Sequence, residues 1–391
     1  MELTLFVDHQ CNLRCTYCYN GEKFSRPMSL ATMRKAVALA LKMPLPRLHV
    51  SFFGGEPLLH RRMVRETVDH VQAELAKLAA PPEELLFVMN TNATLIDDEA
   101  LELMAPPRRW SVFVSLDGPR AVHDRYRVNP SGAGSFDDVI RGLERLREAG
   151  IPFGLLAVFG PETGRHLGET LATILPLGPQ KVQLSADYRA SWTEESISEL
   201  RLGLEEAADV WMEWFRAGKA VLVDPFHTKI LAHIKGGLPC PGRCLLGGTA
   251  FTVAPSGRLY PCGQMVGEDD GSLAMGDVDG GYDLAALKRM QEAKDRVEAT
   301  CAPCELRHRC QSQCGCRHVA LTGKLGEITE TLCEIESAYI DAADRIAETM
   351  VSETCPAFVQ LFYQRDWTPA EGAEWSPIRR EPSEVDGSET K

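Results

Sequence analysis

The sequence predicts an α/β protein, a parallel sheet clothed by helices and followed by a small cysteine-rich unit. Three observations predict it. Apolar runs alternate with amphipathic helical stretches through residues 1–190, the pattern of parallel strands joined by helical crossovers. Ten of the thirteen cysteines fall at or after Cys240. The other three, Cys11, Cys15 and Cys18, lie directly behind the first apolar run.

In chain order, strands are expected at Leu3–Val7, Leu48–Phe53, Leu85–Asn90, Trp110–Leu116, Phe153–Phe159 and Lys181–Ser185. Helices lie between them, among them Ser29–Leu41 with Ser29 as N-cap and Met63–Leu78. Thr193 opens a longer helix, with Ser196 in capping position, that runs to about Arg216. It carries Leu200, Leu202, Leu204, Ala207, Val210, Trp211 and Trp214, of which Trp211 and Trp214 read as core packing against the sheet. A further helix covers Pro225–Lys235, and Gly236-Gly237-Leu238-Pro239 then breaks the chain. The expected units are the α/β part at 1–190, a helical linker at 191–235, the cysteine-rich part at 236–350 and a tail at 351–391. Beyond about Asp366 the tail is rich in Pro, Glu, Ser and Arg and reads as mostly disordered. No internal repeat is present.

Composition narrows the function. With 391 residues and 44% hydrophobic residues the chain is an ordinary globular length of two or three domains. The net charge of −13 argues against a nucleic-acid partner, because no broad basic surface exists. No apolar run approaches the roughly 20 residues that cross a bilayer, so no membrane partner is expected. The N-terminus lacks the basic and apolar regions of a signal peptide. Thirteen cysteines in such a chain point to bound metal in a reducing, cytoplasmic setting, and an odd count fits disulfides poorly.

The first three cysteines are spaced C-x3-C-x2-C. A four-iron cubane takes one thiolate per iron, so three ligands leave one iron for a small molecule. The loop reads Cys11-Asn12-Leu13-Arg14-Cys15-Thr16-Tyr17-Cys18-Tyr19. Downstream, each at a strand end, come Phe53-Gly54-Gly55-Glu56-Pro57, Thr91-Asn92-Ala93-Thr94-Leu95 and Val114-Ser115-Leu116-Asp117-Gly118. His123-Asp124-Arg125-Tyr126-Arg127 follows. Taken singly these are weak signals: a C-x2-C is more often zinc or redox, a Gly-Gly-Glu-Pro is a turn, and an arginine is usually solvated. Together, in this order and context, they resemble the radical SAM superfamily.

The resemblance implies a partial (β/α)6 TIM-like barrel, with its site at the carboxyl ends of the strands. It implies a [4Fe–4S] cluster on Cys11, Cys15 and Cys18 that binds S-adenosylmethionine. Gly54, Gly55, Glu56 and Pro57 would back the methionyl amino group. Asn92, Ser115 and Asp117 would meet the methionine carboxylate and the ribose, Arg127 would pair with the carboxylate, and Tyr17 would pack near the adenine.

The later cysteines follow C-x(9–15)-G-x4-C, gap, C-x2-C-x5-C-x3-C, gap, C, with Gly257 as the glycine. This resembles the SPASM domain, which implies two auxiliary [4Fe–4S] clusters, three in all. One would use Cys244, Cys262 and Cys314, with Cys240 upstream as fourth ligand and Cys316 as an alternative. The other would use Cys301, Cys304, Cys310 and Cys333. Cys355 reads as structural or as a free thiol. Read alone, residues 240–333 favour two four-thiolate zinc sites; behind a C-x3-C-x2-C barrel they favour iron–sulfur.

SPASM enzymes mostly modify peptides and proteins. The expected activity is therefore hydrogen abstraction by a 5′-deoxyadenosyl radical from a peptide substrate, maturing a ribosomally made peptide by crosslink, thioether, epimerisation or splicing. The alternatives are formylglycine formation in sulfatases and oxidation of a small metabolite. Sulfatase maturation uses an aspartate after the cysteine of Tyr-Pro-Cys, but Tyr260-Pro261-Cys262 is followed by Gly263. A base would then have to come from elsewhere, such as Asp187, Glu268 or Asp269. No leader-recognition module precedes Cys11, so either a separate protein presents the precursor or the enzyme binds it directly. A low-potential electron donor is also required.

Overall fold

The computed structural model describes residues 1–43, 46–237, 244–296 and 301–363. The six expected strands all form: β1 (Glu2–Phe6), β2 (Arg47–Phe53), β3 (Glu84–Thr91), β4 (Trp110–Ser115), β5 (Phe153–Phe159) and β6 (Lys181–Ala186). They pair in chain order, every pair parallel. Parallel pairing requires crossovers, supplied by α1 (Leu30–Ala40), α2 (Arg61–Leu75), α3 (Asp98–Met104), α4 (Arg120–Tyr126), α5 (Phe136–Glu148) and α6 (Leu167–Ile174). As expected, Ser29 caps α1, its Oγ accepting from the Thr32 amide at 3.0 Å.

The sheet extends further at both ends than the sequence predicts. β7 (Leu222–Asp224) adds beside β6, β8 (Ala250–Val253) pairs parallel to β1, and β9 (Leu259–Tyr260) runs antiparallel to β8. These strands have three, four and two residues, too short to show a periodicity. The nine-stranded order is β7-β6-β5-β4-β3-β2-β1-β8-β9. One sheet therefore passes through the stretch expected as linker and into the cysteine-rich part. β1 becomes an interior strand: Leu3 and Leu5 join the large core, while Phe6, on the other face, packs with Ala254, Tyr260 and Val266.

The remaining helices are α7 (Glu194–Arg216), α8 (Phe226–Ile234), α9 (Leu284–Lys294), α10 (Gly315–Thr322), α11 (Glu330–Ser352) and α12 (Pro356–Tyr363). Thr193 and Ser196 cap α7 reciprocally, each side chain accepting from the other's amide, at 3.2 and 2.8 Å. Trp211 is fully buried against Phe215 and Phe226. α11 lies across α7 and α8, so the C-terminal segment is fastened to the helices that follow the barrel. Cys355 sits in that core. Cys240 and the tail expected to be disordered, from residue 364 on, lie outside the described residues. Among the described residues no helix is long and apolar enough to cross a membrane.

Candidate cofactor site and auxiliary cysteines

The cysteine loop leaves β1 through Asp8, whose buried carboxylate accepts from the amides of His9 and Arg26 at 2.7 and 2.6 Å. The segment after β2 grips the same loop. The Gly55 amide donates to the Asp8 carbonyl at 2.7 Å, the Glu56 amide to the Gln10 carbonyl at 3.0 Å, and Asn20 Nδ2 to the Gly54 carbonyl at 2.5 Å. A Cβ on Gly55 would stand 1.9 Å from the Gln10 carbonyl oxygen, and Gly54 has φ +125°. Both positions thus require glycine. The close approach they permit is to the cysteine loop itself, where the resemblance had implied approach to a ligand.

Glu56 is equally committed. Its buried carboxylate accepts from the Leu58 amide at 3.0 Å, Thr91 Oγ1 at 2.8 Å and the Asn92 amide at 2.8 Å, tying the ends of β2 and β3 together. Burial pushes its pKa up against those hydrogen bonds. Pro57 begins the short 3-10 turn that Glu56 caps. Asn92 reaches the cysteine loop, donating to Asn12 Oδ1 at 2.9 Å and approaching Cys11 Sγ at 3.9 Å.

On the other side of the loop, Arg127 makes a two-point ion pair with Asp117, Nε to Oδ2 at 2.9 Å and Nη2 to Oδ1 at 3.0 Å, both residues buried. Tyr17 donates its hydroxyl to the same carboxylate, and its ring lies under the guanidinium, 5.3 Å away. Asp117 also accepts from the Val158 amide at 2.9 Å. The sequence signal for Asp117 and Arg127 is therefore realised first as a contact between the two. Burial opposes the Arg127 charge, but Asp117, Tyr17 and Cys15 outweigh it and hold its pKa above the ordinary value. Ser115 ends β4, paired in register with Leu156.

His123 was not singled out by sequence reasoning, yet it supports this pair. Its Nδ1 accepts from the Asp117 amide at 3.3 Å, and its Nε2 meets Ser135 Oγ, which donates to the Arg127 carbonyl at 2.7 Å. That pattern needs a neutral ring protonated on Nε2. Burial, then the Arg127 charge, lowers its pKa to about 4.

The three thiols lie within electrostatic reach of one another. Burial pushes Cys11 up to about 12 and also raises Cys15, while Lys23 Nζ donates to Cys18 Sγ at 3.0 Å. Three sulfur donors on one clamped loop, with Lys23 and Arg127 to offset thiolate charge, suit a cluster with one iron left open. Among the described residues no three His, Cys, Asp or Glu converge as a single metal ion requires.

The later cysteines fall into two groups. Cys314 Sγ lies 3.2 Å from Cys316 Sγ, with Cys244 within electrostatic reach of Cys314 and Cys262, at the end of β9, within reach of Cys316. Cys301, Cys304 and Cys333 are within electrostatic reach of each other, with Cys304 and Cys333 exposed. Cys310, pushed up to about 12 by burial and then by Glu336, sits beside Glu336 and Lys229. Tyr19, also missed by sequence reasoning as a site residue, stands between the first and second sets. Its charged or ionisable neighbours are Cys262, Cys18, Cys316 and Arg189, whose guanidinium lies 5.3 Å over its ring.

Of the acids named as substitute bases, Asp269 is buried, its carboxylate accepting from Ser256 and Tyr260 and ion-paired with Arg258 at 3.6 Å. Glu268 is exposed and accepts from the Glu22 amide at 3.2 Å. Asp187, just beyond β6, is half-buried, and one oxygen accepts from the Arg189 amide at 2.9 Å.

Residues 7–174 match the family model of the radical SAM superfamily. The chain carries a radical SAM domain. An archaeal protein from Methanocaldococcus jannaschii is 28% identical over 180 residues, covering 46% of this chain and 60% of that protein, so the match spans less than two thirds of its length. A serine-type anaerobic sulfatase-maturating enzyme of Klebsiella aerogenes is 24% identical over 324 residues, 78% of this chain and 76% of the relative. The solved structure of anSMEcpe with bound AdoMet and Kp18Cys peptide superposes with TM-score 0.74 at 20% identity, over 90% of this chain and 100% of that one. Streptococcus suis SuiB bound to precursor peptide SuiA gives TM-score 0.61 at 15% identity, over 85% and 75%. At these identities the structures show likeness of fold. That fold extends beyond the radical SAM domain, and the cysteine-rich region fits a SPASM domain within it.

Proposed function

We propose that this radical SAM chain cleaves S-adenosylmethionine and uses the resulting 5′-deoxyadenosyl radical to take a hydrogen atom from a side chain or the backbone of a bound peptide or protein. One observation carries the reading: the clamped Cys11–Cys15–Cys18 loop lies between Asn92 and the buried Asp117–Arg127 pair, at the carboxyl ends of β1, β3 and β4. A four-iron cluster held there would supply the electron that breaks the sulfonium bond.

The chain's own residues orient the ligand. Asp117 and Tyr17 fix the Arg127 guanidinium, which keeps donor capacity for the methionyl carboxylate. Asn92, held by Asn12 and Thr94, faces the same end. Glu56 and the two glycines act through the cysteine loop that they fasten. Cys301, Cys304, Cys310 and Cys333 would hold one auxiliary cluster, and Cys244, Cys262 and Cys314 three corners of another, as acceptors for the electron that the substrate radical gives up.

Two substrate classes remain in play, each with its own observation. Relatives matching across most of the chain are sulfatase-maturating enzymes, which favours oxidation of a Cys or Ser side chain to formylglycine. Gly263 after Cys262, with Asp269 already occupied, favours maturation of a ribosomal peptide instead. For the sulfatase reading, Asp187, half-buried just beyond the carboxyl end of β6, is the candidate base. Anaerobic incubation with S-adenosylmethionine, a low-potential reductant and a Cys- or Ser-containing sulfatase peptide separates them. An aldehyde captured by a hydrazine probe establishes formylglycine formation. Release of 5′-deoxyadenosine without aldehyde directs the search to other peptides. No 5′-deoxyadenosine at all refutes the radical reading.

A further inference from the structure

We propose that His60, a residue outside every motif of the sequence, is a positioning residue for the first site: it seats the Cys11–Cys15–Cys18 loop by holding Asp8. The inference rests on the first-cluster reading above and assigns that loop a support.

Asp8 is the clasp of the loop. One carboxylate oxygen, Oδ1, accepts from the His9 amide at 2.7 Å and from the Arg26 amide at 2.6 Å. Those two residues bracket the segment that carries all three cysteines. A ring stack ties the same ends together, His9 on Phe24, with centroids 4.3 Å apart and planes at 17°. His9 is fully buried, and among the described residues neither of its ring nitrogens has a hydrogen-bond partner, so what it gives the loop is its flat face.

His60 holds the clasp itself. Its Nε2 lies 2.7 Å from Asp8 Oδ2, and because a carboxylate only accepts, the ring donates. Asp8 is 1% exposed, which leaves water little access to replace that donor. His60 is the N-cap residue of α2 yet makes no cap bond, so its side chain is committed to Asp8 and not to the helix. The segment from Gly55 to His60 thus grips the loop three times: at the Asp8 carbonyl, the Gln10 carbonyl and the Asp8 carboxylate. His60 is itself partly exposed, beside a surface cavity of about 450 Å³ that Met28, Leu59 and Met63 also line. Shortening it removes a hydrogen bond without emptying the core.

A buried acceptor left unpaired is costly. Without His60, Asp8 must turn toward another donor, and both loop ends loosen while every cysteine stays in the chain. The loss falls on how the three sulfurs are presented and on the S-adenosylmethionine seated beside them.

The test uses full-length, anaerobically reconstituted protein as wild type, His60→Ala and His60→Gln, whose amide nitrogen can stand where Nε2 stands. Backbone hydrogen–deuterium exchange is followed segment by segment, with KM and kcat for 5′-deoxyadenosine release from S-adenosylmethionine. In His60→Ala the amides of residues 9–26 should exchange roughly tenfold faster or more, the effect of one buried acceptor left unpaired, while β2–β6 keep wild-type rates. KM should rise more than kcat falls, and His60→Gln should recover most of both changes. Wild-type exchange over residues 9–26 in His60→Ala would overturn the proposal. So would faster exchange spread evenly over the sheet, the mark of a merely structural role, or a Gln variant no better than the Ala variant. Wild-type protein that releases no 5′-deoxyadenosine would contradict the radical reading instead, and the exchange rates would still decide the role of His60.

Discussion

The first cysteine loop is fastened to the protein on both flanks, whereas the later set leans on one ion network centred on Glu336. Around Cys11, Cys15 and Cys18, backbone bonds run to Gly55 and Glu56 on one flank and to Tyr126 and Val128 on the other. Around the later cysteines the main support is Glu336 on α11. It pairs with Lys229 and Arg317, each at 2.5 Å, and accepts from the Gln311 amide at 2.6 Å. The first site is shaped before any cofactor arrives. Clusters bound at the second would add folding energy of their own.

Breaking the first site should have the largest effect. Cys15→Ala should abolish S-adenosylmethionine cleavage while the auxiliary clusters persist; full cleavage in that variant would refute the site. Gly55→Ala should act almost as strongly without removing a ligand, since its Cβ would collide with the Gln10 carbonyl. The reading is iron content: the first cluster lost, the others kept.

Glu336→Gln attacks the second region. It leaves the buried Lys229 and the partly buried Arg317 without their carboxylate, and breaking a buried pair costs about 3–5 kcal/mol, measurable by denaturant unfolding. Burial would raise the Glu336 pKa, but Arg317 and Lys229 outweigh it and depress it to about 2. Its contribution to stability is thus complete above the ordinary value of 4.5 and lost as pH falls from there toward 2. The wild type should show that acid slope, and Glu336→Gln should flatten it. Cys310→Ala is narrower. It should cost about one cluster's iron and leave uncoupled S-adenosylmethionine cleavage intact; unchanged iron would reject that ligand set.

The smallest expected effect separates holding from binding within the first site. Arg127→Ala should weaken S-adenosylmethionine binding roughly tenfold or more, the worth of a charged hydrogen bond. Asp117→Asn, which keeps the guanidinium but loosens its seat, should weaken it less. Equal losses would place Asp117 in direct contact with the ligand.

What could be read from the sequence follows the length of each signal. Six strands with long apolar runs were legible to within a residue, and so was the capping of α1. β7, β8 and β9 were not, because their pairing with β6 and β1 is decided by tertiary contact. Motif positions were legible but their partners were not. Gly54 and Gly55 marked a close approach without saying to what, and Asp117 and Arg127, ten residues apart across α4, gave no sign of pairing with each other. His123 and Tyr19 carried no signal beyond adjacency to a motif. Cys316 was visible as an alternative ligand, and the fold sets its sulfur 3.2 Å from that of Cys314.

The central claim is that both cysteine regions hold iron–sulfur clusters, and metal content with a visible spectrum on anaerobically reconstituted protein tests it most directly. About twelve irons per chain, little zinc and a broad absorbance that bleaches on reduction is the result predicted for three four-iron clusters. About four irons with two zincs would contradict it: the radical SAM site would stand, but the later cysteines would be structural and could accept no electron.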